Sequence, residues 1–172
     1  PPDHAAQDLA ALLLRLEQDG SVDTSFDTDG WLTLDQDPEE VDYPSGFVVR
    51  PTGEIVVIST VDVGIGNGYG SVIQFAADGA LDADFGTNGI LTIDNGAPSA
   101  TEWLRGIALA STGDVYVLGS AFVDINGTDE TFVYRVTPSG SFDPAFDGEG
   151  YRLLPIGTED DFASVIAVLP ND

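Results

Sequence analysis

The sequence predicts an all-β fold built from repeated four-stranded units of about sixty residues. One phrase occurs three times, as DGSVDTSFDTDGW at 19–31, DGALDADFGTNGI at 78–90 and SGSFDPAFDGEGY at 139–151. A second, β-rich phrase occurs as PTGEIVVIS at 51–59 and STGDVYVLG at 111–119. Recurrence at a fixed spacing indicates an architecture in which each repeat is one structural unit.

Four short strands are expected in each complete repeat, because runs rich in Val, Ile, Tyr and Thr are bounded by turn residues. In the first complete repeat we expect strands at residues 47–50, 54–61, 71–75 and 90–94. In the second we expect them at 104–109, 114–120, 131–136 and 151–154. Four strands in a repeat of this length are typical of a β-propeller blade.

The repeats predict a single domain over residues 1–172 that ends in partial blades. Complete blades are expected at 43–95 and 103–155, with partial blades at 12–36 and 162–172. The first partial blade should contain the last two strands of a repeat, at 12–16 and 31–35, and the second should contain a first strand at 163–169. Such an arc predicts an incomplete propeller or a fragment of a longer one.

The N-terminus also carries a helical signal. The leucines at 9, 12, 13 and 16 have the spacing of one helix face. The repeat alignment, however, places residues 12–16 opposite third strands. We therefore expect a short helix over about 5–11 that passes into a strand.

The recurrent pattern D-G-x-x-D-x-x-F-x-x-x-G is interpreted first as a structural turn. Its aspartate can accept backbone N–H bonds, its phenylalanine can anchor the loop, and its last glycine can adopt a left-handed conformation. The residues given this role are Asp23, Phe26, Gly30, Asp82, Phe85, Gly89, Asp143, Phe146 and Gly150.

A calcium site is the second interpretation of the same loops, because clustered carboxylates suit hard cations. The candidate ligands are Asp27, Asp29, Asp147 and Glu149. The second copy has Gly86 where the others have aspartate, and no glutamate follows at the EF-hand distance. We expect no cofactor other than this candidate calcium.

The phrases DGSVDTSFDTDG, PTGEIVVIS and DGALDADFGTNG resemble the delta-60 repeat, a bacterial repeat of β-propeller type. The resemblance covers about residues 12–172. It implies a propeller-like fold and an extracellular, cell-surface or periplasmic location. It implies no activity, because no catalytic residues are established for that repeat. The chain departs from the family pattern at Glu54 and Asp114, where the repeat has lysine, and in having too few copies for a closed ring.

The composition excludes several classes of function. A net charge of −25 opposes binding to nucleic acid, and no apolar run is long enough to insert into a membrane. Without cysteine or lysine, and with His4 as the one histidine, the chain offers no thiolate, Schiff-base or histidine-rich metal chemistry.

We therefore expect a non-enzymatic binding or scaffold module that acts through loops and strand edges. A fragment of a longer protein, a ring closed by several chains and an accessory subunit of a larger assembly would each explain the open edges. The module's partner would be another protein or a second copy, bound at the open blade edges. Carbohydrate is a further candidate ligand, since exposed aromatic rings can stack on sugars; the candidates are Trp31, Tyr69, Trp103 and Tyr116. The alternatives are a carbohydrate-active enzyme that uses paired loop carboxylates and a calcium-stabilised structural repeat.

Overall fold

The computed structural model describes residues 11–36, 40–64, 67–94, 101–122, 129–154 and 163–169. These residues form ten β-strands in three antiparallel sheets and no helix. The all-β fold class with four-stranded, propeller-type blades is thereby confirmed. No helix long and apolar enough to cross a membrane occurs in this part of the chain.

The three sheets follow the repeats in order along the chain. The first, here called the N-terminal pair, contains β1 (Ala11–Leu14) and β2 (Trp31–Leu34). Blade 1 contains, in spatial order, β3 (Val41–Val49), β4 (Ile55–Gly64), β5 (Asn67–Phe75) and β6 (Ile90–Ile93). Blade 2 contains, in the same order, β7 (Trp103–Leu109), β8 (Val115–Phe122), β9 (Asp129–Val136) and β10 (Tyr151–Leu154).

The second strand of blade 1, β4, carries apolar side chains on both faces because a neighbouring sheet covers each face. Successive side chains of a strand point to opposite faces of the sheet. In β4, Ile55 and Val57 pack with the N-terminal pair, whereas Val56 and Ile58 pack with blade 2. The uninterrupted run IVVI therefore fits a strand buried between two neighbouring sheets.

The hydrophobic core consists of two clusters between successive sheets. The cluster between the N-terminal pair and blade 1 contains Phe26, Leu32, Leu34, Ile55, Val57, Ile73 and Phe75. The cluster between blades 1 and 2 includes Val56, Ile58, Val72, Phe85, Val115, Val117, Tyr134 and Val136. Blade 1 thus shares one face with the N-terminal pair and the other face with blade 2.

The first strands of neighbouring repeats approach closely at a glycine. A Cβ atom on Gly46 would lie 3.3 Å from Cγ2 of Ile107, and one on Gly106 would lie 3.4 Å from Cγ2 of Ile166. The two contacts are one repeat apart in sequence. Residues 163–169 therefore lie beside β7 as β7 lies beside β3.

The two ends of the described chain differ from the predicted secondary structure. The prediction of a strand at 163–169 was wrong, because these residues lie in the expected place but pair with no described strand. A strand requires a hydrogen-bonded neighbour, and no described residue supplies one. The helix expected over 5–11 lies outside the described residues except for Ala11, which begins β1. The strands expected at 12–16 and 31–35 are observed as β1 and β2.

Candidate interaction surfaces

Each recurrent aspartate caps the turn that follows it. The Oδ1 atom of Asp23 accepts the backbone N–H of Ser25 at 3.0 Å and its hydroxyl at 2.6 Å. Asp82 Oδ1 accepts the N–H two residues later at 3.2 Å, and Asp143 Oδ1 does so at 2.9 Å. The carboxylates at these positions are therefore occupied within their own loops.

A side chain of the third strand holds the same aspartate from the other side. Arg15 Nε donates to Asp23 Oδ2 at 2.7 Å, and Gln74 Nε2 donates to Asp82 Oδ2 at 2.7 Å. In the third copy, Arg135 Nε lies 3.1 Å from the carboxylate of the equivalent aspartate. Hydrogen bonds from Ser25, followed by the bond from Arg15, hold the pKa of Asp23 below its usual value.

The last glycine of the pattern is required by both conformation and space. Gly30 and Gly89 have φ angles of 99° and 95°. A Cβ on Gly30 would lie 2.1 Å from Val22 Cγ1, and one on Gly89 would lie 2.5 Å from Leu81 Cγ. Only a residue without a side chain fits this left-handed position.

The recurrent phenylalanine packs between its own repeat and the next one. Phe26 and Phe85 are fully buried in the two core clusters. Phe146, in the last copy, is half-buried and contacts the ring of Tyr116 edge-on at a centroid distance of 5.7 Å. Among the described residues, no sheet follows blade 2 to cover it.

Neighbouring turn loops are also joined through their backbones. The N–H of Asp27 donates to the carbonyl of Asp78 at 2.8 Å, and the N–H of Gly86 donates to the carbonyl of Ser139 at 2.9 Å. Asp27 and Gly86 occupy equivalent positions of the pattern. The loops therefore act as connectors between successive sheets.

The four candidate calcium ligands do not form one cluster. Asp29 Oδ1 accepts the N–H of Trp31 at 3.4 Å, and Asp147 Oδ2 lies 3.9 Å from Arg152 Nε. A hydrogen bond with Glu149 raises the pKa of Tyr151. Among the described residues, no three carboxylate or imidazole groups are close enough to hold a metal ion. Any calcium here would need oxygen atoms from the backbone or water.

An exposed apolar surface covers the outer side of the N-terminal pair. This N-terminal face consists of Leu12, Leu14, Leu16, Val22 and Trp31. Leu14 is 45% exposed, whereas the residues at the same position of the next two repeats, Ile73 and Tyr134, are 1% and 7% exposed. In those repeats a preceding sheet covers the position; in front of the N-terminal pair the described residues supply none.

The outer side of blade 2 has a different character. This C-terminal face consists of Tyr116, Leu118, Val133, Arg135 and Phe146, of which Leu118 and Val133 are buried. Arg135 Nη2 lies 2.5 Å from Asp114 Oδ2. The guanidinium also lies over the Tyr116 ring, 5.8 Å from its centroid. Arg135 and its carboxylate partners thus occupy part of this face beside Tyr116.

A groove of about 320 Å³ lies between the N-terminal pair and blade 1. Its apolar lining includes Leu13, Phe26, Phe47, Val49, Ile55 and Ala77, and Leu14 and Arg15 also border it. A larger groove, of about 680 Å³, is lined by residues that include Gln36, Tyr69, Thr87 and Phe142. Carboxylates are absent from the described residues that line either groove.

The four aromatic candidates for sugar stacking lie in separate places. Trp31 is on the N-terminal face, Tyr116 is on the C-terminal face and Tyr69 lines the larger groove. Trp103 packs against Tyr43 at a ring-centroid distance of 5.8 Å. These rings therefore do not form one shared stacking platform.

Sequence reasoning missed two features of these surfaces. It identified the repeat but did not ask which side of each strand a neighbouring sheet covers, although the repeat alignment carries that signal. It also missed Arg50, which is buried, donates from Nε to Gln74 Oε1 at 3.0 Å and from Nη1 to the carbonyl of Gly113. Burial lowers the pKa of Arg50. No local pattern distinguishes this arginine from the other four.

A family model described as "Domain of unknown function (DUF5122) beta-propeller" matches residues 5–26 and 111–146. Both segments contain a third strand followed by the recurrent aspartate and phenylalanine, and together they cover less than half of the chain. No curated protein and no solved structure matches the chain. Together, this partial similarity and the repeated antiparallel sheets support a fold built from β-propeller-type repeats.

Proposed function

We propose that this β-propeller-type domain is a non-enzymatic binding or scaffold module that binds a protein partner through its N-terminal face. We further propose that its repeats are of the delta-60 type. In this proposal the domain works outside the cell, at the cell surface or in the periplasm, as an accessory subunit of a larger assembly.

The observation that carries the proposal is the exposure of leucines at positions that the repeat otherwise buries. Leu14 and Leu16 are exposed, whereas Phe75 and Val136, the equivalents of Leu16, are buried. Burying one such side chain contributes about 1.5–3 kcal/mol, so several adjacent ones can support a specific contact. Contiguous exposed apolar residues are typical of protein interfaces.

The charge of the chain restricts what such a partner can be. A net charge of −25 repels nucleic acid and anionic membrane surfaces and attracts basic groups. An apolar face within an acidic surface therefore favours a protein with an apolar contact region and a neutral or basic surrounding.

The test is native mass spectrometry on the protein purified from its source, with and without a chelator. We expect a defined complex with another protein, and we expect Leu14→Asp to abolish it. Leu153→Asp is the matched control, because Leu153 is similarly exposed on β10, away from the N-terminal face. A complex that survives Leu14→Asp, or no complex with any variant, would refute the proposal. Loss of the complex in chelator alone would indicate that a bound cation supports the interface.

A further inference from the structure

We propose that the groove beside the N-terminal pair binds an extended β-strand of a partner polypeptide, which pairs with β1 in the manner of a second strand of this repeat. The inference rests on the proposed function and specifies its partner. The partner strand carries an acidic residue followed by aliphatic residues at alternate positions.

The sheets themselves show which strand the groove accepts. In blade 1 the third strand, β5, lies between β4 and β6, and in blade 2 the third strand, β9, lies between β8 and β10. The third strand of the N-terminal pair, β1, pairs with β2 on one side only within the described residues. The groove lies on the other side of β1, where blades 1 and 2 have their second strands.

The lining of the groove repeats an environment that is filled elsewhere in the chain. Between blades 1 and 2, Phe85, Ile107 and Val115 share a cluster with Val56 and Ile58, which are fully buried side chains of a second strand. The residues equivalent to these three, one repeat earlier, are Phe26, Phe47 and Ile55, and all three line the groove.

Phe47 is an apolar side chain of the groove that no neighbouring first strand covers among the described residues. It is 58% exposed, whereas its equivalent Ile107 is half-buried against Gly46 of the preceding first strand. A cavity of about 320 Å³ bordered by exposed apolar side chains favours aliphatic groups over polar ones. Two side chains of the partner strand, in the positions of Val56 and Ile58, would enter it.

The pairing of β4 with β5 predicts the register of the bound strand. In blade 1, Val57 pairs with Ile73, Ile58 with Val72 and Ser59 with Ser71. The residues of β1 equivalent to 73, 72 and 71 are Leu14, Leu13 and Leu12. The partner residue at position 58 therefore pairs with Leu13 and enters the groove. The residue at position 57 pairs with Leu14 on the N-terminal face.

We infer an acidic residue in the partner strand because the positively charged Arg15 lines the groove. Arg135 bonds Asp114, which precedes the second strand of its own blade. Arg15 is the equivalent of Arg135 and lines the groove; it donates to Asp23, to Ser25 Oγ at 3.1 Å and to the carbonyl of Ala77. An acidic side chain of the partner, placed like Asp114, would complete the same three-residue arrangement. Peptides that add a strand to an open sheet edge use this combination of backbone pairing and side-chain pockets.

The chain supplies its own probe, the peptide PTGEIVVIST of residues 51–60. We expect a fluorescently labelled peptide to bind the full chain with micromolar affinity in an anisotropy titration. Ile58→Asp in the peptide should weaken binding by roughly tenfold or more, because that side chain enters the groove. Val57→Asp is the matched control: the same change one residue earlier lies beside Leu14 at the border of the groove, on the side away from blade 1, and should weaken binding less than Ile58→Asp does.

A disulfide test fixes the place and register of binding. The chain contains no cysteine, so Leu12→Cys introduces a single thiol on an exposed position. A peptide with cysteine in place of Ser59 should form a mixed disulfide with it, since directly paired residues of antiparallel strands are within disulfide distance. Thr33→Cys is the control, because Thr33 is exposed on the same face but lies one strand further away, on β2.

The outcomes separate this inference from the proposed function. The strand-binding proposal is overturned by no peptide binding, by equal tolerance of Ile58→Asp and Val57→Asp, or by equal cross-linking at positions 12 and 33. It is also overturned if the chain forms a homodimer that the peptide does not dissociate, since a second copy would then occupy the surface. If the peptide does not bind while Leu14→Asp still abolishes the complex with the native partner, the proposed binding function is retained and only the proposed strand pairing is rejected.

Discussion

The N-terminal and C-terminal faces are the outer sides of the first and the last described sheet, and their side chains differ in character. The N-terminal face presents leucines and Trp31 with no charged group among them. The C-terminal face carries Arg135 with its two carboxylate partners, and residues 163–169 lie beside the first strand of blade 2. The difference teaches that an open end of such a domain need not be a binding surface: among the described residues, one end carries paired charged groups and the other end is apolar.

The largest expected effect contrasts the buried phenylalanine between blades with the half-buried one at the C-terminal face. Phe85→Ala should lower the free energy of unfolding by about 3–5 kcal/mol, the usual cost of removing a buried ring. Phe146→Ala should cost less, about 1–2 kcal/mol, because its side chain is only half-buried. Urea unfolding followed by circular dichroism measures both. Equal losses would show that an unseen element covers Phe146.

The next effect compares equivalent positions on a covered and an open face. Ile73→Ala should cost about 2–5 kcal/mol, since Ile73 is 1% exposed between two sheets. Leu14→Ala, at the same repeat position on the N-terminal face, should cost less than about 1 kcal/mol in the isolated domain. The same urea titration applies. A large cost at Leu14 would mean that the N-terminal face is covered within the chain, contrary to the proposed function.

A smaller effect tests the turn that connects third and fourth strands. Gly30 and Gly20 both have positive φ, but a Cβ on Gly30 meets Val22 at 2.1 Å while one on Gly20 meets nothing within 4 Å. Gly20→Ala should cost about 1 kcal/mol from conformation alone. Gly30→Ala should cost roughly 1–3 kcal/mol more, because the loop must also move. Thermal melts of the two variants decide this; equal shifts would show that the loop relaxes freely around the added methyl.

Most of the strands could be predicted from the sequence because a sixty-residue repeat doubles every local signal. The run IVVI of β4 is recognisable alone, but it is the second copy, VYVL of β8, that makes the blade certain. The faces could not be predicted in the same way. Leu14 and Ile73 have the same type of side chain and the same place in the repeat, and their difference depends on whether another sheet stands in front of them.

The candidate metal and sugar residues show the same limit. Asp27 and Asp147 occupy equivalent positions in two different loops, one between β1 and β2 and the other between β9 and β10, rather than around one ion. Repetition distributes a residue type along the row of blades, whereas a site requires residues brought to one point. Composition and local pattern therefore predicted the turn chemistry of Asp23 better than they predicted any ligand.

The smallest expected effect concerns the aspartate that fixes the first turn. Bonds from Ser25 and Arg15 lower the pKa of Asp23 in the folded state, whereas the unfolded value is about 3.9. A lowered folded pKa stabilises the protein above the unfolded pKa, and that stabilisation is lost as the pH falls through the folded pKa. Asp23→Asn should therefore lower Tm at pH 7, and the difference from wild type should shrink below about pH 4.

The control for this titration has to separate one specific carboxylate from the charge of the whole chain. Acidification also relieves repulsion among 30 acidic residues as the pH approaches the isoelectric point near 4.1, which raises Tm in every variant. Asp84→Asn removes the same charge from an exposed side chain of the second copy and should follow wild type at each pH. Melts at constant ionic strength compare the three proteins. If Asp23→Asn and Asp84→Asn behave alike, the hydrogen bonds to Asp23 add nothing beyond general charge, and the turn is held by its backbone and glycine alone.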